Sequence, residues 1–581
     1  MHSVIVSGRR AAAIRLSLGM FWNDSGWRSH IKARNLCVRE RLMGNERVYL
    51  VHIAAATLLV FLAGVLSAIT VPFFGGPDEK NHYNSVVRVV DGGGWPLPYT
   101  ARVMPAVDLA WLESGRASAS APDFDQVPLA VNRSSVLEEP NFALLSAEID
   151  NMVQHPPAYY FLTASVVAMT DLDSLRWDQA MLVMRIFSAF LVSLSVPAIA
   201  GIVRLVTGSR SLGAVGAYAL LAIPFFTGFG GLVSNDTLLV PTISGALYFL
   251  IRAWKSNTRT TFLLVAAGIL LGVSLLTKGF ALFAIPLFVF LSFVAVFSKK
   301  PTKMRGTVIA LIAPSIAALI GGWWWIRNLI LLGSVQPSVS GTLRVALDEP
   351  LSNINVLSYF GNFWLRFNSL FWARGVRPVD GGNELPAVLL GVAGVAFVVA
   401  FVVVALYSRN RGMTFLLLSF PAIIIAVLFA NSLSVYETYG VADRGVQGRY
   451  VFAGIAAYSL IVAGFVGILG RKLTPRNRNR LFVGVVASSA AIAWANIAWL
   501  LISSWPNGYS EQVPGLEAVS GYFGVSLLVY VALTGSALAV LIGAYIAHSK
   551  LSQPEGFASD LTDLAPIQSS NAPTQRGTTE K

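Results

Sequence analysis

Long apolar runs separated by short cationic connectors dominate this 581-residue chain. The runs recur from near Val48 to near Ala547, and stretches of about 17 to 25 residues cross roughly 30 Å of hydrocarbon as helices. A bilayer offers no water to backbone groups, so only helices or a closed barrel can span it. No alternating ten-residue pattern occurs, which excludes a barrel. Hydrophobic residues make up 55% of the chain and charged residues 13%, against about 25% charged in soluble domains. The fold class is therefore an all-α integral membrane protein.

The formal charge of +13 invites a nucleic-acid reading, but its distribution argues against one. Five connectors carry it: Arg204 with Arg210; Arg252, Lys255 and Arg259; Lys299, Lys300, Lys303 and Arg305; Arg409 and Arg411; Arg471, Lys472, Arg476, Arg478 and Arg480. Together they hold sixteen cations and no Asp or Glu, the mark of cytoplasmic loops. The charge is topological, and nucleic acid is not a partner.

Alternation of sides fits twelve spans: 48–73, 181–205, 211–230, 237–254, 260–277, 280–298, 307–326, 386–407, 413–431, 450–470, 481–503 and 519–547. Both termini then lie in the cytoplasm. The short apolar piece Tyr159 to Met169 reads as an interfacial or re-entrant helix, because counting it would move the Arg204 connector outside. Three units result: a basic tail over 1–47, a membrane domain over 48–547, and a tail over 548–581. The last is rich in Ser, Thr, Pro and Gln, a composition that stays disordered. The first lacks a long apolar run and does not resemble a cleaved secretory signal. Cys37 is the one cysteine, which excludes an intramolecular disulfide and a cysteine metal site.

This topology sorts the acids. Of 30 Asp and Glu residues, 23 fall on the outer side, three precede Val48 and four follow Lys550. Two long outer loops, 75–180 and 327–385, are where function is to be sought, since long loops in compact proteins are usually functional. The sharpest feature there is Pro77-Asp78-Glu79 with His82, directly after the first span. Adjacent carboxylates beside a membrane are costly to keep for packing alone. Against them stand Arg185, Lys278, Arg327 and Arg449 at the outer ends of spans, where topology requires no cation. Each alone could snorkel or pair with an acid; the four together suggest a site for a lipid phosphate, whose head sits at that depth.

Gly76-Pro77-Asp78-Glu79-Lys80-Asn81-His82 resembles the Asp-Glu signature in the first outer loop of GT-C type glycosyltransferases, closest to a bacterial branch carrying Pro-Asp-Glu-x-x-His. Gln154-His155-Pro156-Pro157-Ala158-Tyr159-Tyr160, Trp325-Ile326-Arg327-Asn328 and Gln447-Gly448-Arg449-Tyr450 agree with it. So do Ser234-Asn235-Asp236 and Leu276-Thr277-Lys278-Gly279. The resemblance implies a GT-C-like bundle in the bacterial inner membrane and transfer on the outer face. It further implies a polyprenyl-phosphate-linked sugar donor and a glycan, lipid or protein acceptor.

In that family the first-loop Asp is taken as the base, which maps to Asp78, with Glu79 as a supporting carboxylate. Arg327, Arg449, Lys278 and Arg185 would bind the donor phosphate. His82, His155, Asp236, Gln447 and Tyr450 would support or contact substrate. His82, at i+4 from Asp78, could orient that carboxylate or join a divalent metal with Glu79 or His155; the plainer alternative is an ordinary loop hydrogen bond. No cofactor is implied with certainty, and a divalent metal stays open. Ser234, Asn235 and Asp236 could equally serve as helix caps.

A lipid-linked oligosaccharide polymerase or ligase would use the same face with a diphosphate-linked donor. A transporter or assembly protein is the non-enzymatic alternative, although a transporter calls for acids near helix centres, and these spans nearly lack them.

Overall fold

The computed structural model describes residues 24–115, 127, 130–138, 148–172, 174–256, 258–337, 346–372, 387–408, 410–441, 445–505, 515–551 and 557. Side chains are described from residue 44 onward, apart from 387–391, 503 and 515–518. Residues 1–23, most of the C-terminal tail and part of the second large loop lie outside these residues.

Among the described residues the chain is helical, with only two isolated β-bridges, Arg102 to Ile149 and Ser135 to Arg176. Among these residues nine helices are long and apolar enough to cross a membrane, or ten if one bent pair counts as a single span. Each of the twelve expected segments coincides with helix, the last of them in two pieces, Gly515–Phe523 and Leu527–Leu551, and Thr260–Leu275 falls short of full span length.

The first helix, Asp24–Ala68, begins well before the apolar run at Val48. The expected straight span over 211–230 is instead two helices, Arg210–Ala222 and Pro224–Gly230, bent by 76°. Pro224 has no N–H to continue the ladder, and its ring crowds the preceding turn. Asn496 Nδ2 donates to the Pro224 carbonyl at 2.9 Å.

Two cores result. The larger lies among the spans and includes Leu59, Ile199, Tyr218, Phe226, Ile243 and Phe452, all at most 1% exposed. The smaller belongs to the outer region, where Phe73, Phe74 and Tyr83 pack with Tyr159, Trp177 and Trp505. The Glu79–Val90 helix contributes Tyr83, Val86 and Val87 to the smaller core and packs on the short Ala158–Val167 helix. Asn84 Nδ2 donates to the buried Asp150 carboxylate at 2.7 Å, and Lys80 pairs with Asp108 and Glu148, both at 2.8 Å. These bonds fix the helix that follows the Asp78-Glu79 pair.

Candidate active site

Asp78 is the N-cap of the Glu79–Val90 helix, but its side chain caps nothing. Its backbone is left-handed, with φ 60° and ψ 13°, a conformation Asp tolerates better than most residues at some cost in strain. The backbone carbonyl still accepts from His82 N at 3.0 Å, which starts the helix and frees the carboxylate. Glu79 therefore points inward while Asp78 points out.

The two neighbouring carboxylates differ completely in environment. Glu79 and Arg185 form a pair with both side chains at 0% exposure. Arg185 Nε and Nη2 donate to the two carboxylate oxygens at 2.9 and 2.8 Å. Its other bonds go to the carbonyls of Ala68, Val71 and Pro72, at the end of the first span. Five bonds match the five donors of a guanidinium. The Glu79 oxygens also accept from the backbone N–H groups of Gly76 and Val233. Arg185, expected at the donor phosphate, and Glu79, expected as a supporting carboxylate, are committed to each other and to backbone groups. Together they lock the loop after the first span to the loop before Asp236, with no donor left for a ligand.

Asp78 takes the other cation. Arg449 Nη2 donates to Asp78 Oδ2 at 2.8 Å, with the arginine side chain 2% exposed and the aspartate 45% exposed. Arg449 begins the Gly448–Gly470 span in a 3₁₀ turn. Gly448 makes this possible, because a Cβ there would lie 2.3 Å from Phe371 N. Only a glycine lets this turn rest on the backbone of the Val356–Trp372 helix.

A second ion pair adjoins the first. Lys278 Nζ donates to Asp236 Oδ1 at 2.8 Å, and Asp236 Oδ2 lies 3.9 Å from Arg449 Nε. Asp78, Asp236, Lys278 and Arg449 therefore form one cluster of two acids and two bases drawn from four segments. The capping alternative for Asn235 and Asp236 is not what forms: Asn235 occupies the N-cap position without a side-chain cap bond. Burial lowers the Lys278 ammonium, against the pull of Asp236 beside it. The Lys278 ammonium also lies 5.1 Å from the centre of the Tyr450 ring, which stacks on Phe280 at 4.5 Å. Phe280 was missed in the sequence, where adjacency to Lys278 is its only signal. Gln447 is half-buried at the head of the turn, its carbonyl accepting from Tyr450 N.

His82 does not orient Asp78. Its Nδ1 pairs with the Tyr160 hydroxyl at 3.0 Å, the plain hydrogen-bonding alternative, and Arg449 holds the carboxylate instead. Burial, then the positive Lys278 and Arg449, hold the His82 imidazole well below its usual range. The same causes bring His155 down to about 3. Among the described residues no group of three His, Cys, Asp or Glu side chains could hold a metal ion, so Glu79, His82 and His155 do not gather as a metal site. Arg327 stands apart from the cluster. It stacks on Trp324 at 4.8 Å and donates to Asn328 Oδ1 at 3.1 Å, and no carboxylate among the described residues pairs with it.

An apolar cavity of about 290 Å³ begins two residues beyond Arg449. Val451, Phe371, Trp372, Phe397, Pro421 and Tyr458 are among the residues lining it.

The family model for the predicted membrane protein DUF2142 matches residues 61–456. No curated protein matches the sequence. Among solved structures, ArnT from Cupriavidus metallidurans bound to undecaprenyl phosphate is similar at 15% identity and a TM-score of 0.41. That likeness covers 89% of this chain and 77% of ArnT. The archaeal oligosaccharyltransferase AglB from Archaeoglobus fulgidus, in complex with an inhibitory peptide and a dolichol-phosphate, is similar at 13% identity and a TM-score of 0.40. That likeness covers 80% of this chain and 56% of AglB.

Proposed function

The chain belongs to the DUF2142 family of predicted membrane proteins, and we propose that it is an inverting glycosyltransferase of the GT-C type. It moves a sugar from a polyprenyl-phosphate donor to an acceptor hydroxyl on the extracytoplasmic face of the bacterial inner membrane. The observation that carries this reading is the Asp78, Asp236, Lys278 and Arg449 cluster, in which one carboxylate is half-exposed and both cations are buried.

Inverting transfer needs a base at the nucleophile and positive charge at the leaving group. Asp78 Oδ2 is held by Arg449, and Oδ1 is the oxygen left to take the acceptor proton. The acceptor oxygen forms a bond to the anomeric carbon as the bond from that carbon to the phosphate oxygen breaks. The electron pair leaves with the polyprenyl phosphate, and Arg449 and Lys278 balance its charge. The apolar cavity lined by Val451, two residues after Arg449, suits the first isoprene units of such a carrier. Arg327, which no carboxylate among the described residues pairs with, is a further cation for the phosphate.

The test is transfer by the protein reconstituted in liposomes, supplied with decaprenyl-phosphate-linked pentoses and hexoses and a membrane extract as acceptor source. Release of decaprenyl phosphate is the readout. Asp78→Asn lowers it by roughly 10²–10⁴-fold, the usual weight of a general base. Release from no donor, or an Asp78→Asn protein as active as the wild type, sinks this reading.

A further inference from the structure

Asp236 and Arg449 face each other without touching. Arg449 Nε and Asp236 Oδ2 are 3.9 Å apart, each side chain is 2% exposed, and neither atom has a hydrogen-bond partner among the described residues. Each group is also held from its other side. Asp236 Oδ1 takes the Lys278 ammonium, while the Arg449 Nη atoms give to Asp78 Oδ2 and, at 3.4 Å, to the Pro77 carbonyl. A guanidinium and a carboxylate free to close would meet at about 2.8 Å. Their other partners hold these two an ångström farther apart.

Asn235, 0% exposed, adds a third such atom. Its Nδ2 donates to the Thr277 carbonyl at 3.4 Å, which can only accept, so Oδ1 is the atom turned away and it is unpartnered. Three buried side chains, two of them adjacent in the chain, thus each leave one polar atom unpaired, a charged N–H donor and two acceptor oxygens. Leaving such groups unpaired in a dry interior is costly.

The mixture of donor and acceptors selects the chemistry of the guest. A phosphate offers the carboxylate and amide oxygens nothing but further acceptors. An aliphatic chain offers no hydrogen bond at all. A hydroxyl answers both sides of the gap, its oxygen accepting from Arg449 Nε while its proton is donated to Asp236 Oδ2. Neighbouring hydroxyls on one ring extend the match to Asn235.

We infer that Asn235, Asp236 and the Nε side of Arg449 form a sugar-hydroxyl subsite. It reads the polyol of the lipid-linked donor, leaving the phosphate to Lys278 and the outer side of Arg449. The inference rests on the transferase reading for the donor's lipid-phosphate part, and it adds the source of sugar selectivity. A site built to hydrogen-bond a hydroxyl discriminates strongly against a ligand lacking it, because its own polar groups are then left unpaired.

The experiment compares equilibrium binding of decaprenyl phosphate with binding of its mannosyl, glucosyl, N-acetylglucosaminyl and arabinosyl derivatives. The full-length protein is held in nanodiscs without acceptor. At least one glycosylated lipid binds about ten-fold or more tightly than decaprenyl phosphate, the weight of a hydrogen bond between charged groups and a hydroxyl. Asp236→Asn keeps an oxygen for Lys278 but replaces Oδ2 with an NH₂ group, and it brings that ratio to near one. Should Asp236→Asn fail to fold, Asn235→Ser decides the matter through a ratio reduced by about three-fold or more. Binding of decaprenyl phosphate with no added affinity for any sugar overturns the subsite alone, as does a folded Asp236→Asn protein with the wild-type ratio. Binding of neither form overturns the transferase reading with it.

Discussion

Arg449 reaches across 371 positions of sequence to hold Asp78, its Nη2 donating to Oδ2 at 2.8 Å. The arginine is buried and the aspartate half-exposed, so a fixed interior cation presents a carboxylate at a surface. The backbone at Asp78 contributes as well, since its left-handed turn separates the directions of two adjacent acids.

That turn predicts a dissociation of stability from activity at position 78. Asn tolerates the left-handed region and can accept from Arg449 through its amide oxygen, and Asp236 still faces that arginine, so Asp78→Asn stays within about 1 kcal/mol of the wild-type stability, the weight of a pair with one half-exposed member, while losing turnover. Asp78→Ala is less stable by about 1 kcal/mol, because a residue without a short polar side chain pays more for φ near 60°. Thermal unfolding in detergent measures both.

The Glu79 and Arg185 pair predicts the opposite pattern. Removing either partner strands a buried charge, and Glu79→Gln or Arg185→Met alone costs about 3–5 kcal/mol. The double variant costs much less than the sum, as neighbours in one network couple strongly. Melting temperatures of the four proteins in this cycle give the coupling directly. Additive losses would show that the pair does not lock these two loops.

Arg327 lies in no carboxylate pair among the described residues, so Arg327→Ala leaves stability within about 1 kcal/mol. It weakens binding of decaprenyl phosphate to the nanodisc-held protein by about three- to ten-fold, the range expected for one partly exposed cation at a lipid phosphate. An unchanged affinity would remove Arg327 from the donor site.

Acid lability follows from the two imidazoles. His155 is lowered from 6.5 to about 3, and His82 is lowered too, so the unfolded chain takes up protons below pH 6.5 that the fold refuses. Their contribution to stability is complete above pH 6.5. It falls as the pH drops below 6.5, by about 1.4 kcal/mol per pH unit for His155 until the pH nears 3, and further in the same direction through His82. His155→Gln flattens the dependence of the unfolding midpoint between pH 6.5 and 5; an equally steep curve in that variant would assign the lability elsewhere.

What could be read without the fold was whatever depends on near neighbours in the chain. Apolar run length and the absence of strand alternation gave helices at each of the twelve expected places, because backbone satisfaction in hydrocarbon is a local requirement. Pro224 was visible in the sequence, but its 76° bend was not, since a proline's effect depends on what donates to the carbonyl that its missing N–H leaves open. Asp78 and Arg449 stood out as charges where hydrocarbon or topology gave no reason for them. The same criterion admitted Arg185 and Glu79 on equal terms. Only tertiary packing separated the two cases, by bringing Arg185 onto Glu79 and the carbonyls at the end of the first span while leaving Asp78 to Arg449. Ion pairs such as Lys278 with Asp236 close over distances set by helix packing, and charge alone does not specify which opposite charge will be nearest. Run length and composition settled the class of the protein without any tertiary contact. Packing set which carboxylate is buried against Arg185 and which is left half-exposed beside Arg449, because burial and pairing belong to neighbours in space.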